Sequence, residues 1–193
     1  CSVLSHYDPV IITAAELKQI VSLHLEQLDL SQQTPASLWR LPVCYEEKFA
    51  PDLKDVVNET NLTPDEVIAL HTSRILEVAI MGFLPGLGYL TGVDDALHLP
   101  RRSEPRTFVP QGSVGLAMDQ TVIYPLNSPG GWNLIGRMPI PLFDQKRENP
   151  ILFSAGDRVS FYAVNADKYE ELAASCVDGN LPICPEQADE AAL

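Results

Sequence analysis

The sequence predicts a mainly β fold with some α: an antiparallel barrel or sandwich preceded by the remnant of a small α/β domain. Three observations lead there. Between Gly82 and Pro150 lie nine of the sixteen prolines and nine of the eleven glycines, with short β-rich runs between them. Turn residues at that density cut strands short and favour tight antiparallel connections. Ahead of this stretch, two threonine-led capping boxes announce helices. Residues 31–37 are polar, unpatterned and interrupted by Pro35, a linker composition that sets a domain boundary.

The elements follow in order. Residues 3–7 read as a short strand, closed by the turn-forming Asp8-Pro9. In Thr13-Ala14-Ala15-Glu16, threonine oxygen and glutamate each satisfy an orphan backbone donor, so a helix starts there. Leu17, Ile20, Val21, His24 and Leu28 then recur at helical spacing, predicting an inward-packed face with His24 as a core residue. One strand and one helix make no core alone, and Cys1-Ser2-Val3 reads as the middle of a strand. A further N-terminal segment is therefore expected. After the linker come a strand at 41–45 and a helix at 52–60, with Leu53, Val56 and Val57. A second capping box, Thr63-Pro64-Asp65-Glu66, opens a helix at 64–72 with proline where its missing N–H costs nothing. Strands are expected at 75–81, 107–109, 113–117, 121–124, 133–138 and 158–164. Asn165 caps a last helix over 166–174, and the acidic tail 176–193 is expected to be loosely ordered. The predicted limits are thus 1–37 for the remnant and linker, 38–175 for the barrel domain, and 176–193 for the tail.

Composition narrows the function classes. The chain's 193 residues are 46% hydrophobic and 20% charged, ordinary for a globular protein. Thirteen basic against 26 acidic residues give a net charge of −13, which repels nucleic acid and anionic lipid; neither is an expected partner. No run of eighteen apolar residues suggests a membrane span. Cys1, Cys44, Cys176 and Cys184 form no CxxC and no metal-ligand spacing, so reduced thiols, no metal and a cytoplasmic location are expected. Nor is there a GxxxxGK[ST] phosphate loop. Gly86-Leu87-Gly88 lacks the third glycine of a dinucleotide fingerprint. Leu126 stands where a nucleophile elbow at Ser128 needs glycine. The histidines at 6, 24, 71 and 98 make no i, i+4 pair. The catalytic residues are unknown from these signatures.

One local feature departs from the whole. Between Pro100 and Met138 the bases are Arg101, Arg102, Arg106 and Arg137, and the acids only Glu104 and Asp119. Guanidinium forks suit carboxylate and phosphate ligands. The alternative is that these arginines pair with surface acids.

Three segments surround the arginines: Gly82-Phe83-Leu84-Pro85-Gly86-Leu87-Gly88-Tyr89-Leu90, the run from Pro100 to Gly115, and the run from Tyr124 to Arg137. Together they resemble the hallmark of the PxpB/KipI family (the 5-oxoprolinase B-type subunits, also labelled allophanate hydrolase subunit 1). Ile151 to Val159 resembles its closing element, and Leu41-Pro42-Val43-Cys44-Tyr45 its opening strand. Two positions depart from the pattern: Leu87-Gly88 where the family has Phe-Pro, and Val122 where it has glycine. The resemblance implies a cyclophilin-like barrel behind a small α/β domain, of which roughly the first 60 family residues are not in this sequence. It implies a subunit of an ATP-dependent 5-oxoprolinase that opens 5-oxo-L-proline to glutamate, inactive alone. The implied partners are a PxpC-type protein (allophanate hydrolase subunit 2) and a PxpA-type protein (LamB/YcsF). ATP is used by the complex. Two other family activities stay open, inhibition of a sensor histidine kinase and half of a urea carboxylase-type carboxyltransferase.

Substrate- or partner-binding candidates are His71, Arg101, Arg102, Arg106, Ser113, Gln120, Tyr124, Ser128, Gly130, Gly131, Trp132 and Arg137. Of these, Arg106, Arg137 and His71 resemble family motif positions, while the glycines serve backbone geometry. The face built by 82–90, 100–115 and 124–137, with Phe83, Leu84, Leu87, Tyr89 and Trp132, is the expected partner interface. Arg106 and Arg137 are expected to be replaceable without loss of folding.

Overall fold

The structure, a computed structural model, describes residues 5–27 and 36–187. It divides into two compact units, residues 1–35 and 36–193.

In the first unit the capping box forms. Thr13 Oγ1 accepts from Glu16 N–H at 3.3 Å and Glu16 accepts from Thr13 N–H at 2.9 Å, starting α1 (Ala14–Glu26). The expected inward face does not materialise, because no residue of α1 is buried. Among the described residues of this unit a lone helix and turn have no second element to cover an apolar stripe, so His24 is exposed and its Nδ1 lies 2.8 Å from the Ile20 carbonyl. Residues 5–7, expected in a strand, belong to none; residues 3–4 of that reading, Leu28 and linker residues 31–35 lie outside the described residues.

The second unit begins with β1 (Ser37–Cys44), which takes in the last linker position. α2 (Leu53–Thr60) and α3 (Pro64–Ser73) follow, the latter started by the second capping box, with Thr63 and Glu66 exchanging bonds of 2.7 and 3.3 Å. β2 (Ile75–Met81) and β3 (Gly88–Thr91) form a hairpin, then come β4 (Arg106–Val109), β5 (Ser113–Ala117), β6 (Gln120–Ile123), β7 (Ser128–Gly130) and β8 (Asn133–Arg137). β9 (Arg158–Val164) leads into α4 (Ala166–Ser175), where Asn165 accepts from Lys168 N–H at 2.9 Å.

Seven strands close a barrel in the order β1-β8-β5-β6-β3-β2-β9, and β9 returns to pair with β1. That closing pair is parallel; the other six are antiparallel. Closure leaves none of the seven as an open edge. Asp157, in the loop before β9, pins the closure by accepting from Ser37 N–H at 3.0 Å and Trp39 Nε1–H at 3.3 Å.

Strand alternation explains the cores. Val43, Val114, Leu116, Ile123, Ile135 and Phe161 fill the interior. Their neighbours Ala117, Val122 and Leu134 point outward, into a second cluster with Leu87, Val109, Tyr124 and Trp132. β5, β6 and β8 are therefore buried on both faces, which is why they read as continuous apolar runs. The cover over the second cluster includes the separate two-stranded ribbon β4–β7, where Arg106 pairs with Gly130 and Val109 with Ser128.

The tail differs from expectation. Cys176, Leu181 and Ile183 pack against the main core, and β10 (Glu186–Gln187) pairs with β1, its Glu186 bonded to Arg40 Nε at 3.0 Å. Counting charges misses the apolar residues that dock this segment.

Candidate functional site

The ribbon is held to the barrel through one buried carboxylate. Asp52, at the start of α2, is 1% exposed. Its Oδ2 accepts from Leu134 N–H at 2.7 Å, and its own N–H donates to the Leu134 carbonyl at 3.0 Å, so it is fixed against β8. Its Oδ1 accepts from Arg102 Nη1 at 2.9 Å and from Arg106 Nη2. Arg102 also reaches Asp55 Oδ2 at 3.3 Å, and its N–H donates to the Gly131 carbonyl at 2.8 Å. Two of the four arginines thus pair with acids, and the expectation that Arg106 is dispensable for folding is corrected: its loss leaves a buried carboxylate with one cation fewer. Sequence reasoning missed Asp52, because an acid at a helix start reads as an ordinary cap.

Under the ribbon sits Tyr124. A Cβ at Gly130 would lie 2.1 Å from its hydroxyl, so only glycine lets the ribbon close over the ring. Burial, reinforced by Tyr89, pushes the phenol up to about 12, against the opposing pull of Arg101, the Trp132 backbone N–H and Arg106. Trp132 is buried, not presented to a partner; Arg101 caps it, with Cζ 5.2 Å from the ring centroid. Arg101 is exposed and makes no ion pair among the described residues. Arg106 Nη1 and Ser128 Oγ are buried without a hydrogen-bond partner. Phe83 stands out at 81% exposure on the preceding loop. Arg101, Arg106, Tyr124, Ser128, Gly130 and Trp132 therefore gather at the ribbon, with Arg102 and Gly131 bracing it. A patch of donors and cations of this kind holds an anion or stabilises a developing oxyanion.

His71 is elsewhere, in the barrel interior. Its Nδ1 lies 2.7 Å from Tyr45 Oη and its Nε2 3.2 Å from Thr121 Oγ1, and its ring stacks on Phe161 at 4.6 Å. Thr121 donates its own proton to the Gly115 carbonyl at 3.0 Å, so Nε2 must donate and Nδ1 must accept from Tyr45. Desolvation lowers the imidazole to about 3 and raises the Tyr45 phenol. His71 is a neutral, doubly bonded core residue. Gln120 stands at the β5–β6 turn opposite Ala117, at the far end of that pair from Tyr124, whose N–H donates to the Ser113 carbonyl.

Arg137 and Ser113 face each other across β8 and β5, outside the barrel. Arg137 Cζ lies 5.6 Å from the Phe49 ring. Gly112 (φ +80°) precedes Ser113, and a Cβ there would lie 2.4 Å from the Met138 carbonyl, so glycine is required for the approach.

The chain is similar to several known proteins. The family described as "Carboxyltransferase domain, subdomain C and D" matches residues 1–153. The 5-oxoprolinase B-type subunit of Bacillus subtilis is 39% identical over 153 residues, covering 79% of this chain and 64% of that protein. The 5-oxoprolinase B-type subunit of Haemophilus influenzae is 46% identical over 121 residues, covering 63% of this chain and 57% of that protein. The crystal structure of Kluyveromyces lactis urea carboxylase superposes with a TM-score of 0.72 at 21% identity, over 94% of this chain and 19% of that one, and shares the fold. The chain thus spans about 57–64% of the length of these two curated relatives.

Proposed function

The chain belongs to the family of carboxyltransferase domains, subdomains C and D, in its PxpB/KipI branch of 5-oxoprolinase B-type subunits, and on that premise we propose that it is a subunit of an ATP-dependent 5-oxoprolinase. The observation that carries the reading is identity of 39% and 46% to two proteins named for that role. The proposed complex contains a PxpC-type and a PxpA-type protein. Lactam opening places negative charge on the lactam oxygen, beside a substrate that already carries a carboxylate. The ribbon face answers that need with Arg101, the free Nη1 of Arg106 and the Tyr124 O–H as donors. It offers no nucleophile–base pair, so the attacking group comes from another subunit. ATP is a substrate of the assembled enzyme in this reading. The described residues of this chain carry no glycine-rich phosphate loop, and no step is assigned to the nucleotide here.

The test is omission. The three proteins together are expected to release glutamate from 5-oxo-L-proline with ATP, whereas this chain alone, or the mixture without it, releases none. Turnover by the isolated chain, or undiminished turnover in its absence, overturns the reading. The family's name favours a second activity, carboxyl transfer to or from a biotinylated partner. Product analysis with a biotin carboxyl carrier protein separates the two.

A further inference from the structure

A second group of donors lies outside the ribbon, on the outer barrel wall where β5, β8 and the end of β1 meet α4. Arg137 pairs across the sheet with Ser113 on one side and Cys44 on the other, so the three side chains share one face. Phe49 packs at 4.3 Å on the Tyr169 ring of α4 and lies against the Arg137 guanidinium. Burial raises the Tyr169 phenol, and the Arg137 guanidinium beside it pulls the other way. Ser113 Oγ is buried without a partner, in a residue only 1% exposed, and Arg137 Nε is buried without one too.

Nearby charges do not meet these donors. Glu170 is bonded to Lys48 at 3.4 Å, and Glu46 accepts from Ala166 N–H at 2.8 Å at the start of α4. No described acid forms an ion pair with Arg137, although the chain carries 26 acidic residues. Arg137 Nε and Ser113 Oγ, on one face of the sheet with the Tyr169 ring close by across Phe49, are thus left without partners. Desolvated donors left unmade cost free energy, and a group that accepts from several of them at once restores it. A carboxylate, with two oxygens and four lone-pair sites, fits that need and matches guanidinium geometry.

We propose that Arg137, Tyr169 and Ser113 form a binding site for the carboxylate of a small cyclic amino acid, which Arg137 anchors and the two hydroxyls orient. The substrate class rests on the oxoprolinase reading; the donor arrangement does not. Phe49 supplies an apolar wall beside the charge. Tyr169 lies outside every segment that marked the family in the sequence, and beyond the residues 1–153 that match the family.

The test is an NMR titration of the full chain, observing the Arg137 Nε–H and the amides of Gly112, Ser113 and Tyr169. The probes are 5-oxo-L-proline and 2-pyrrolidone, the same ring without a carboxylate. Saturable shifts of these resonances are expected with the first probe and none with the second. Acetate in place of 5-oxo-L-proline moves the same resonances if carboxylate alone suffices, which supports the site and leaves the oxoprolinase reading to turnover. Tyr169→Phe keeps the ring stack and is expected to weaken binding about tenfold or more, as one charge-assisted bond is lost. Ser113→Ala removes an orphan hydroxyl, so it is expected to melt no earlier than the parent and still bind more weakly. Arg137→Lys retains part of the affinity that Arg137→Gln loses. Shifts confined to the ribbon around Arg101 and Arg106, equal binding of 2-pyrrolidone, or unchanged affinity in Tyr169→Phe and Ser113→Ala each overturn the proposal. None of these outcomes depends on turnover by the complex.

Discussion

Replacing Asp52 with asparagine is the sharpest perturbation of how this fold holds its functional face. The carboxylate accepts from Arg102 at 2.9 Å, from Arg106, and from Leu134 N–H at 2.7 Å. Asparagine keeps the shape but loses the charge, and it must turn an NH2 group toward either the arginines or the Leu134 N–H. Each hydrogen bond to a charged group contributes about 1.5–3 kcal/mol. The arginine side chains keep 29% and 27% exposure and recover some hydration, so the lower end applies to each, giving a loss of about 3 kcal/mol. For a domain of this size that lowers Tm by about 6–12 °C. Thermal and urea unfolding followed by circular dichroism measure it. Asp55→Asn is the control, because Asp55 is 65% exposed and its 3.3 Å contact to Arg102 is worth less than about 1 kcal/mol. A shift in Asp52→Asn no larger than in Asp55→Asn refutes the assignment of Asp52 as the anchor.

Other outcomes follow from the same geometry. His71 is held neutral, with its folded value lowered to about 3 from an ordinary 6.5. Below about pH 6.5 the unfolded chain takes up a proton that the folded one refuses, so this group's contribution is full above pH 6.5 and falls as pH drops toward 3, by about 1.4 kcal/mol per unit. His71→Gln is therefore expected to flatten the acid limb of a stability–pH curve; an unchanged slope between pH 6 and 4 contradicts it. Gly130→Ala drives a methyl into the Tyr124 hydroxyl and is expected to cost about 1–3 kcal/mol, measured by urea unfolding.

Local chemistry was legible in the sequence wherever one residue type had one job. Both capping boxes, the Asn165 cap, and strands β2, β5 and β9 follow from short-range rules. β3 and β7 are not legible as strands, because four residues ending in Thr91 and the sequence Ser-Pro-Gly carry no alternation of their own. Their pairing comes from long-range register. The gathering of Arg101, Arg106, Tyr124 and Trp132 at one ribbon fits the marked segments, yet nothing local indicated that Arg102 and Arg106 share a buried acid fifty residues upstream. His71 shows the opposite limit, since a motif position alone did not distinguish a core histidine from a site residue. Its role became readable only with Tyr45, Thr121 and Phe161 around it.

Arg101→Ala in the assembled three-protein complex tests the central claim, that the ribbon face forms one wall of a shared active site. Arg101 is exposed, pairs with no described acid and lies over the Trp132 ring, so its loss is expected to leave the fold intact. Glutamate release from 5-oxo-L-proline is measured beside the Tm of the isolated variant. The account predicts turnover reduced about tenfold or more with Tm within about 2 °C of the parent, as expected for a surface change away from buried networks. Full turnover by the folded variant contradicts it.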